Sequence, residues 1–166
     1  MSLLSLNLDP DKFKKFGVRK RQLQTAARVA LEDMGRAWHD QFLPLHFTAD
    51  AYARYGYAQR KGMGLDPQGR AFRRSTVGRK IRYKGHNLPL VYSGEGRMLA
   101  LGPIRLRSSS KQARVVLPSK FNYRNRKSRI SMRDEITKLI PAETAVLLER
   151  GRRSLREAIA RPPSGA

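Results

Sequence analysis

The stretch VRKRQLQTAARVALEDMGRAWHDQF, residues 18–42, decides the reading of this chain. In it Leu23, Ala27, Leu31, Met34, Trp38 and Phe42 recur at steps of four, four, three, four and four. Only a helix of about 3.6 residues per turn gathers those side chains on one face. Arg19, Arg21, Arg28, Glu32, Asp33, Arg36 and Asp40 fall mostly off that stripe. At 1.5 Å per residue such a helix spans roughly 37 Å, enough to lie across a small sheet. Trp38 and Phe42 read as core, and Pro44 stops the helix because it has no N–H to continue the ladder.

Before this helix, Asp9 is a plausible N-cap with Pro10 at the first helical position, and Gly17 breaks that opening. The start, MSLLSLNL, is apolar but brief and lacks a basic flank, so it does not read as a signal peptide. No run approaches the ~18 apolar residues of a membrane span. After the helix, Thr48 caps a short second helix through Tyr55, ended by Gly56. From Tyr57 to His86 no apolar period survives, and Gly62, Gly64, Pro67 and Gly69 mark turns. This is too long for an idle loop. It reads as an extended basic arm over residues 57–87, with a helical turn or two around Ser75 to Arg82.

Leu88 to Ser93 has strand composition, with Gly94 and Gly96 as punctuation. Ile104 to Arg107 alternates apolar and basic, Ser108 to Ser110 turn the chain, and Ala113 to Leu117 answers as a partner strand stopped by Pro118. Phe121 to Arg129 is basic and irregular. Ser131, with Asp134 or Glu135, starts a short helix. Ile136 to Ile140 reads equally as its continuation or as an edge strand. Pro141 opens a terminal helix to about Ala160, whose apolar side includes Ala145, Leu148, Leu155 and Ile159. Gly151 weakens that helix by about 1 kcal/mol relative to Ala. The fold class is therefore α+β. A long N-terminal and a C-terminal helix pack on a small, mainly antiparallel sheet within one domain, residues 1–160, and residues 161–166 form a disordered tail.

Charge decides the partner class. The 166 residues hold 35 Lys and Arg against 13 Asp and Glu, a formal excess of +22. Residues 48–130 alone hold 20 basic and three acidic residues. A compact domain with that charge repels itself unless an anionic partner or a neutralising neighbour covers it. The partner surface is expected in the middle of the chain. The expected contact residues are Arg60, Lys61, Arg70, Arg73, Arg74, Arg79, Lys80, Arg82 and Lys84, with Arg124, Arg126 and Lys127 further on. Tyr52, Tyr55, Tyr57, Phe72, Tyr83, Tyr92, Phe121 and Tyr123 are interleaved with them. They suit either base stacking or a core and subunit interface.

No residue set points to catalysis. The chain has no cysteine, which removes disulfides, zinc thiolates and thiol nucleophiles. His39, His46 and His86 have no i, i+4 partner and no acidic cluster beside them, so neither a metal site nor a cofactor is expected. Glu95 beside Arg97 reads as an ion pair or turn cap, and Gly94 with Gly96 lacks the phosphate-loop spacing.

The order of short motifs carries a resemblance. Leu45-His46-Phe47 follows the long helix, then Arg54-Tyr55-Gly56-Tyr57-Ala58-Gln59-Arg60, then Lys84-Gly85-His86. Pro89-Leu90-Val91-Tyr92-Ser93-Gly94 with Arg97, a Val-Val-Leu-Pro strand end and a Pro-Ala-Glu helix start complete it. This resembles small virion proteins of tailed bacteriophages, the neck, tail-completion and minor tail proteins, over roughly residues 20–160. The chain departs from the family pattern at Gly96, where a bulky apolar residue is usual. The resemblance implies a non-enzymatic ring subunit at the head–tail junction, made in the bacterial host cytoplasm and ending in the virion. Its implied partners are copies of itself, a portal or adaptor ring, and a tail tube or tail terminator, with passing DNA and no membrane. The alternatives are a free nucleic-acid-binding protein using the basic arm, or another capsid-associated or minor tail role.

Overall fold

The computed structural model describes residues 4–5, 20–91, 93–122, 124–125 and 130–160. Asp9, Pro10, Gly17, Tyr92, Tyr123, Arg126, Lys127 and the tail from Arg161 lie outside them. The class is α+β. In chain order the helices are α1 (Lys20–Ala37), α2 (Ala51–Arg54), α3 (Arg70–Arg74), α4 (Thr76–Lys84), α5 (Glu95–Leu101), α6 (Met132–Ile136) and α7 (Pro141–Ala160). The strands are β1 (Leu4–Ser5), β2 (Leu106–Ser108), β3 (Gln112–Val115), β4 (Arg124–Asn125) and β5 (Ile130–Ser131). The chain divides into two compact units, one of residues 1–42, 103–116 and 141–166, the other of 43–102 and 117–140.

The first unit is built on α1. Leu23, Ala27, Leu31 and Met34 are buried, as the spacing requires, and so are Ala26, Ala30 and Gly35. Small residues let neighbours approach closely. A Cβ on Gly35 would stand 2.7 Å from Leu106 Cδ1, and one on Gly151 2.4 Å from Met34 Sδ. So α1 meets β2 on one side and α7 on the other. Gln22 Nε2 donates to the Ile159 carbonyl at 2.9 Å, and Arg150 reaches Asp33 at 3.1 Å, which makes α1 and α7 antiparallel. The expected hairpin is present as β2 and β3, in the register Leu106–Val115, Arg107–Arg114 and Ser108–Ala113. The short β1 pairs antiparallel on the free side of β3.

Two readings change in this unit. The helix expected through Phe42 is α-helical only to Ala37, and Trp38–Phe42 widen into a π-helical turn before a 3₁₀ turn at Leu43–Phe47. Trp38 and Phe42 are still core. The α7 helix starts at Pro141 and ends at Ala160 as expected, but it buries Glu143, Leu147 and Gly151. Leu148 and Ala145 are exposed. The closest approach to α1 is made by a glycine, which carries no hydrophobic signal.

In the second unit Phe47 and Phe121 pack ring against ring at 6.0 Å. The cap of α2 is Asp50, and Thr48 instead donates its hydroxyl to the Leu45 carbonyl at 2.8 Å. The strand expected at Leu88–Ser93 is absent among its described residues. Pro89 has no N–H to donate to a ladder, and Leu90 takes a left-handed φ of 56°, so the apolar run is a buried turn. After it, Gly94 (φ 85°) turns the chain into α5, which forms despite Gly96. Gly96 leaves room for the Phe121 ring, 3.5 Å from where its Cβ would stand. Ser131 caps α6 by accepting from Asp134 N at 3.2 Å. Past Ile136 the chain is neither helix nor strand up to Pro141.

Candidate basic interface

Residues 57–87, expected as an extended arm, fold onto their own unit. Ser75 is the corner. Its hydroxyl donates to the Phe72 carbonyl at 2.6 Å and accepts from Gly78 N at 3.0 Å, so one side chain ends α3 and caps α4. The Val77 N–H donates to the Lys61 carbonyl at 3.3 Å, which ties α4 back to the start of the segment. Gly85, at φ 71°, ends α4 in the left-handed region that favours glycine. Val77 and Gly78 are the buried residues of α4, so a single short face attaches it. That is too little for an apolar period to register in the sequence.

Arg60 is the anchor. Its guanidinium is only 16% exposed and holds the Glu135 carboxylate, 6% exposed, through both terminal nitrogens. Arg60 Nη1 donates to Glu135 Oε1 at 2.9 Å and to the Ala58 carbonyl at 2.9 Å. Burial works against the charged guanidinium, but the hydrogen bond and charge of Glu135 outweigh it and raise its pKa. Arg60 therefore serves the fold, which corrects its reading as a contact residue.

Beneath it lies an aromatic stack. His46 is fully buried and lies over Tyr55, ring centroids 3.9 Å apart and 8° from parallel. Its Nδ1 is hydrogen-bonded to the Tyr57 hydroxyl. Lys138 Nζ donates to the carbonyls of Tyr55 and Gly56 at 3.1 and 2.9 Å. Tyr55 and Tyr57 are thus core, and bases cannot reach them. Tyr83, 67% exposed on α4, is an aromatic ring that a partner can reach.

Lys80 also departs from its expected role. It is half-buried, and its Nζ donates to the Leu88 carbonyl, closing the α4 end over the turn that follows. Burial, and to a lesser degree the charge of Arg60, pull its pKa down to about 8. Unfolded, Lys80 titrates near 10.4. Between those values the unfolded chain binds more protons than the folded one, so the Lys80 contribution makes stability rise with pH. Two results are expected. Lys80 should lose its proton near pH 8 in an NMR titration of methyl-labelled lysines, well before the exposed lysines. The urea midpoint should rise between about pH 8 and 10.4. His86, whose Nδ1 accepts from Leu88 N at 3.3 Å, has its pKa lowered by burial and by the charges of Lys80 and Lys84.

The remaining expected cations divide simply. Lys61, Arg70, Arg73, Arg74, Arg79, Arg82 and Lys84 are all exposed, and all but Lys61 lie on α3 and α4. Arg73 donates to the Gln68 carbonyl at 2.8 Å. Among the described residues, Lys61, Arg70, Arg73, Arg74, Arg79 and Arg82 meet no carboxylate. Arg124 lies in β4, opposite Ser131.

No family model matches the chain, and no curated protein or solved structure is significantly similar to it. The site is therefore read from its own chemistry. Among the described residues no group of three or more His, Asp or Glu side chains gathers to hold a metal. No described helix is long and apolar enough to cross a membrane.

Sequence reasoning missed one feature of this unit. Met98 is 76% exposed and Leu99 54%, both on α5, while Ala100 beside them is buried. The signal was there in Glu95-Gly96-Arg97-Met98-Leu99-Ala100-Leu101, where more apolar residues follow one another than one face of a short helix can hide.

Proposed function

We propose that this protein is a non-enzymatic assembly subunit of a tailed-bacteriophage virion, working at the head–tail junction as a member of a ring. The observation that carries this reading is the pairing, in one compact unit, of the exposed Arg70, Arg73, Arg74, Arg79 and Arg82 with the exposed Met98 and Leu99. Cations alone suit any polyanion. Large exposed apolar side chains suit a protein neighbour, because water-facing apolar surface is costly and marks interaction sites. A protein neighbour that offers both carboxylates and apolar surface satisfies both. Arg suits it through bidentate contact with carboxylates. In a closed ring each weak contact is repeated by rotation and its effect multiplied.

The test is to replace Arg73, Arg74, Arg79 and Arg82 together with Glu in the source genome and image the lysate by electron microscopy. DNA-filled or leaking heads lying apart from finished tails are expected, while the purified variant keeps the circular dichroism of the native chain. Normal joined particles carrying a folded variant would sink the proposal. The second reading, a free nucleic-acid-binding protein using α3 and α4, is favoured by the same cations. It predicts tight binding of DNA or RNA by the isolated chain with a steep dependence on salt.

A further inference from the structure

Arg21 and Arg28 lie seven residues apart on α1, two turns and therefore about 10 Å along the helix axis. With Gln24 and Thr25 between them, they form one wall of an open concavity of about 450 Å3. The opposite wall is the serine turn of the β2–β3 hairpin, Ser108 to Ser110. All of these residues belong to the first unit, whereas the basic helices belong to the second.

Every lining residue is of a polar type. Among the described residues no aromatic ring is there to stack on a base and no aliphatic side chain to hold an acyl group. Two guanidiniums face three serine hydroxyls, a threonine and an amide. This set donates hydrogen bonds and carries positive charge. Glu32 stands at the edge and orients it. Its carboxylate takes the Ser108 hydroxyl and lies 3.3 Å from Arg28 Nε. Among the described residues that leaves the terminal nitrogens of Arg28 for another acceptor. The serine turn is held by its own backbone. Ser109 N donates to the Gln112 carbonyl at 2.8 Å, and Ser109 Oγ accepts from Lys111 N and Gln112 N at 3.3 and 3.2 Å.

We propose that this concavity binds the phosphodiester backbone of a nucleic-acid strand, with Arg21 and Arg28 each taking a phosphate. The Ser110 and Thr25 hydroxyls and the Gln24 amide donate to phosphate oxygens between them, the Ser108 and Ser109 hydroxyls being engaged by Glu32 and by the Gln112 carbonyl at 3.3 Å. The guanidinium fork matches a phosphate bidentately. An open trough without a stacking ring reads backbone rather than base. A free nucleotide would be held by its phosphates alone, whereas a strand presents several phosphates in a row. The formal excess of +22 on the chain adds to its attraction for such a strand. The inference does not depend on the assembly reading above.

The test is fluorescence anisotropy of a labelled single strand of about 20 nucleotides titrated with the full chain over a range of salt. Arg21→Gln with Arg28→Gln should weaken binding about tenfold. It should also lower the log–log salt slope by about 1.4, the loss of two phosphate contacts on a single strand. Thr25→Glu, which keeps both cations and adds a carboxylate to the wall, should weaken binding by a similar factor. Both variants change exposed helix positions to good helix formers, and circular dichroism checks the fold. Arg73→Gln with Arg79→Gln is the parallel arm for the basic helices, and its outcome bears on the other reading alone. Unchanged affinity and slope in both concavity variants would overturn the proposal. So would displacement of the strand by micromolar ATP or inorganic phosphate, which would mark a small phosphorylated ligand as the occupant.

Discussion

Glu135→Ala is expected to lower the stability of the chain by about 3 kcal/mol, read as a fall in the urea midpoint. The reason is what it leaves behind. Arg60 is mostly buried, and its guanidinium loses both carboxylate oxygens at once, while the Ala58 N–H loses its acceptor. A stranded buried charge costs far more than the net worth of the pair. The double variant Arg60→Met with Glu135→Leu should therefore recover most of the loss, since it removes the charge along with its partner. A drop below about 1 kcal/mol in the single variant would show that water already shares the pair, as in exposed ion pairs. The same variant bears on function. Arg60 sits at the base of the segment that carries α3 and α4, so, on the assembly role proposed above, Glu135→Ala should impair particle assembly although it removes no surface cation.

Gly78→Ala gives the second large effect, and here helix propensity and tertiary structure predict opposite signs. Within α4 an alanine ought to stabilise by about 1 kcal/mol over glycine. In the fold, its Cβ would stand 2.0 Å from the Phe72 carbonyl oxygen and 2.8 Å from the carbonyl carbon. Those are backbone atoms, so no side-chain rotation relieves the clash and the α3–α4 corner must open. A loss of about 3 kcal/mol is expected, at the upper end of ordinary overpacking. The corner hydrogen bonds of Ser75 would go with it, and faster amide exchange at position 78 and at Arg79 than in the native chain would report the opening. Equal or greater stability in the alanine variant would mean that α4 does not pack against the end of α3 as described. Gly62 backs the same corner from the other side, with Ser75 Oγ 2.0 Å from where its Cβ would stand.

Much of the fold was legible. The α1 stripe, the alternation in Ile104 to Arg107 and the partner strand at Ala113 to Leu117 depend on local pattern, which packing on one face enforces. The strands nevertheless form at Leu106–Ser108 and Gln112–Val115, and Ser108, expected in the turn, ends the first. Ser131 and Pro141 mark helix starts through their own backbone chemistry, and both do so in the structure. Leu88 to Val91 misled because an apolar run suits a buried turn as well as a strand, and only the positive φ of Leu90 distinguishes them. The α7 face misled for a related reason, since Gly151 and Glu143 mark it and neither scores as apolar. The basic segment showed no period because Val77 and Gly78 are the only residues that α4 buries.

The candidate interface was legible as a region and not residue by residue. Composition placed the excess charge in the middle of the chain, and seven of the named cations are exposed there. Which cations were already committed to the fold was not readable. Arg60 meets a carboxylate 75 positions away, and Lys80 turns its amine to the Leu88 carbonyl. The trough between Arg21 and the serine turn joins residues more than 80 positions apart, each ordinary in its own surroundings.

By itself, then, the sequence determined the charge, its concentration in residues 48–130, the long helix and the hairpin, because each is set by composition or by neighbours within a few residues. Only the tertiary structure decided which cations hold the fold and which face outward. That depends on burial and on partners brought together from distant parts of the chain, and burial is what turns one arginine into an anchor and leaves another free to bind.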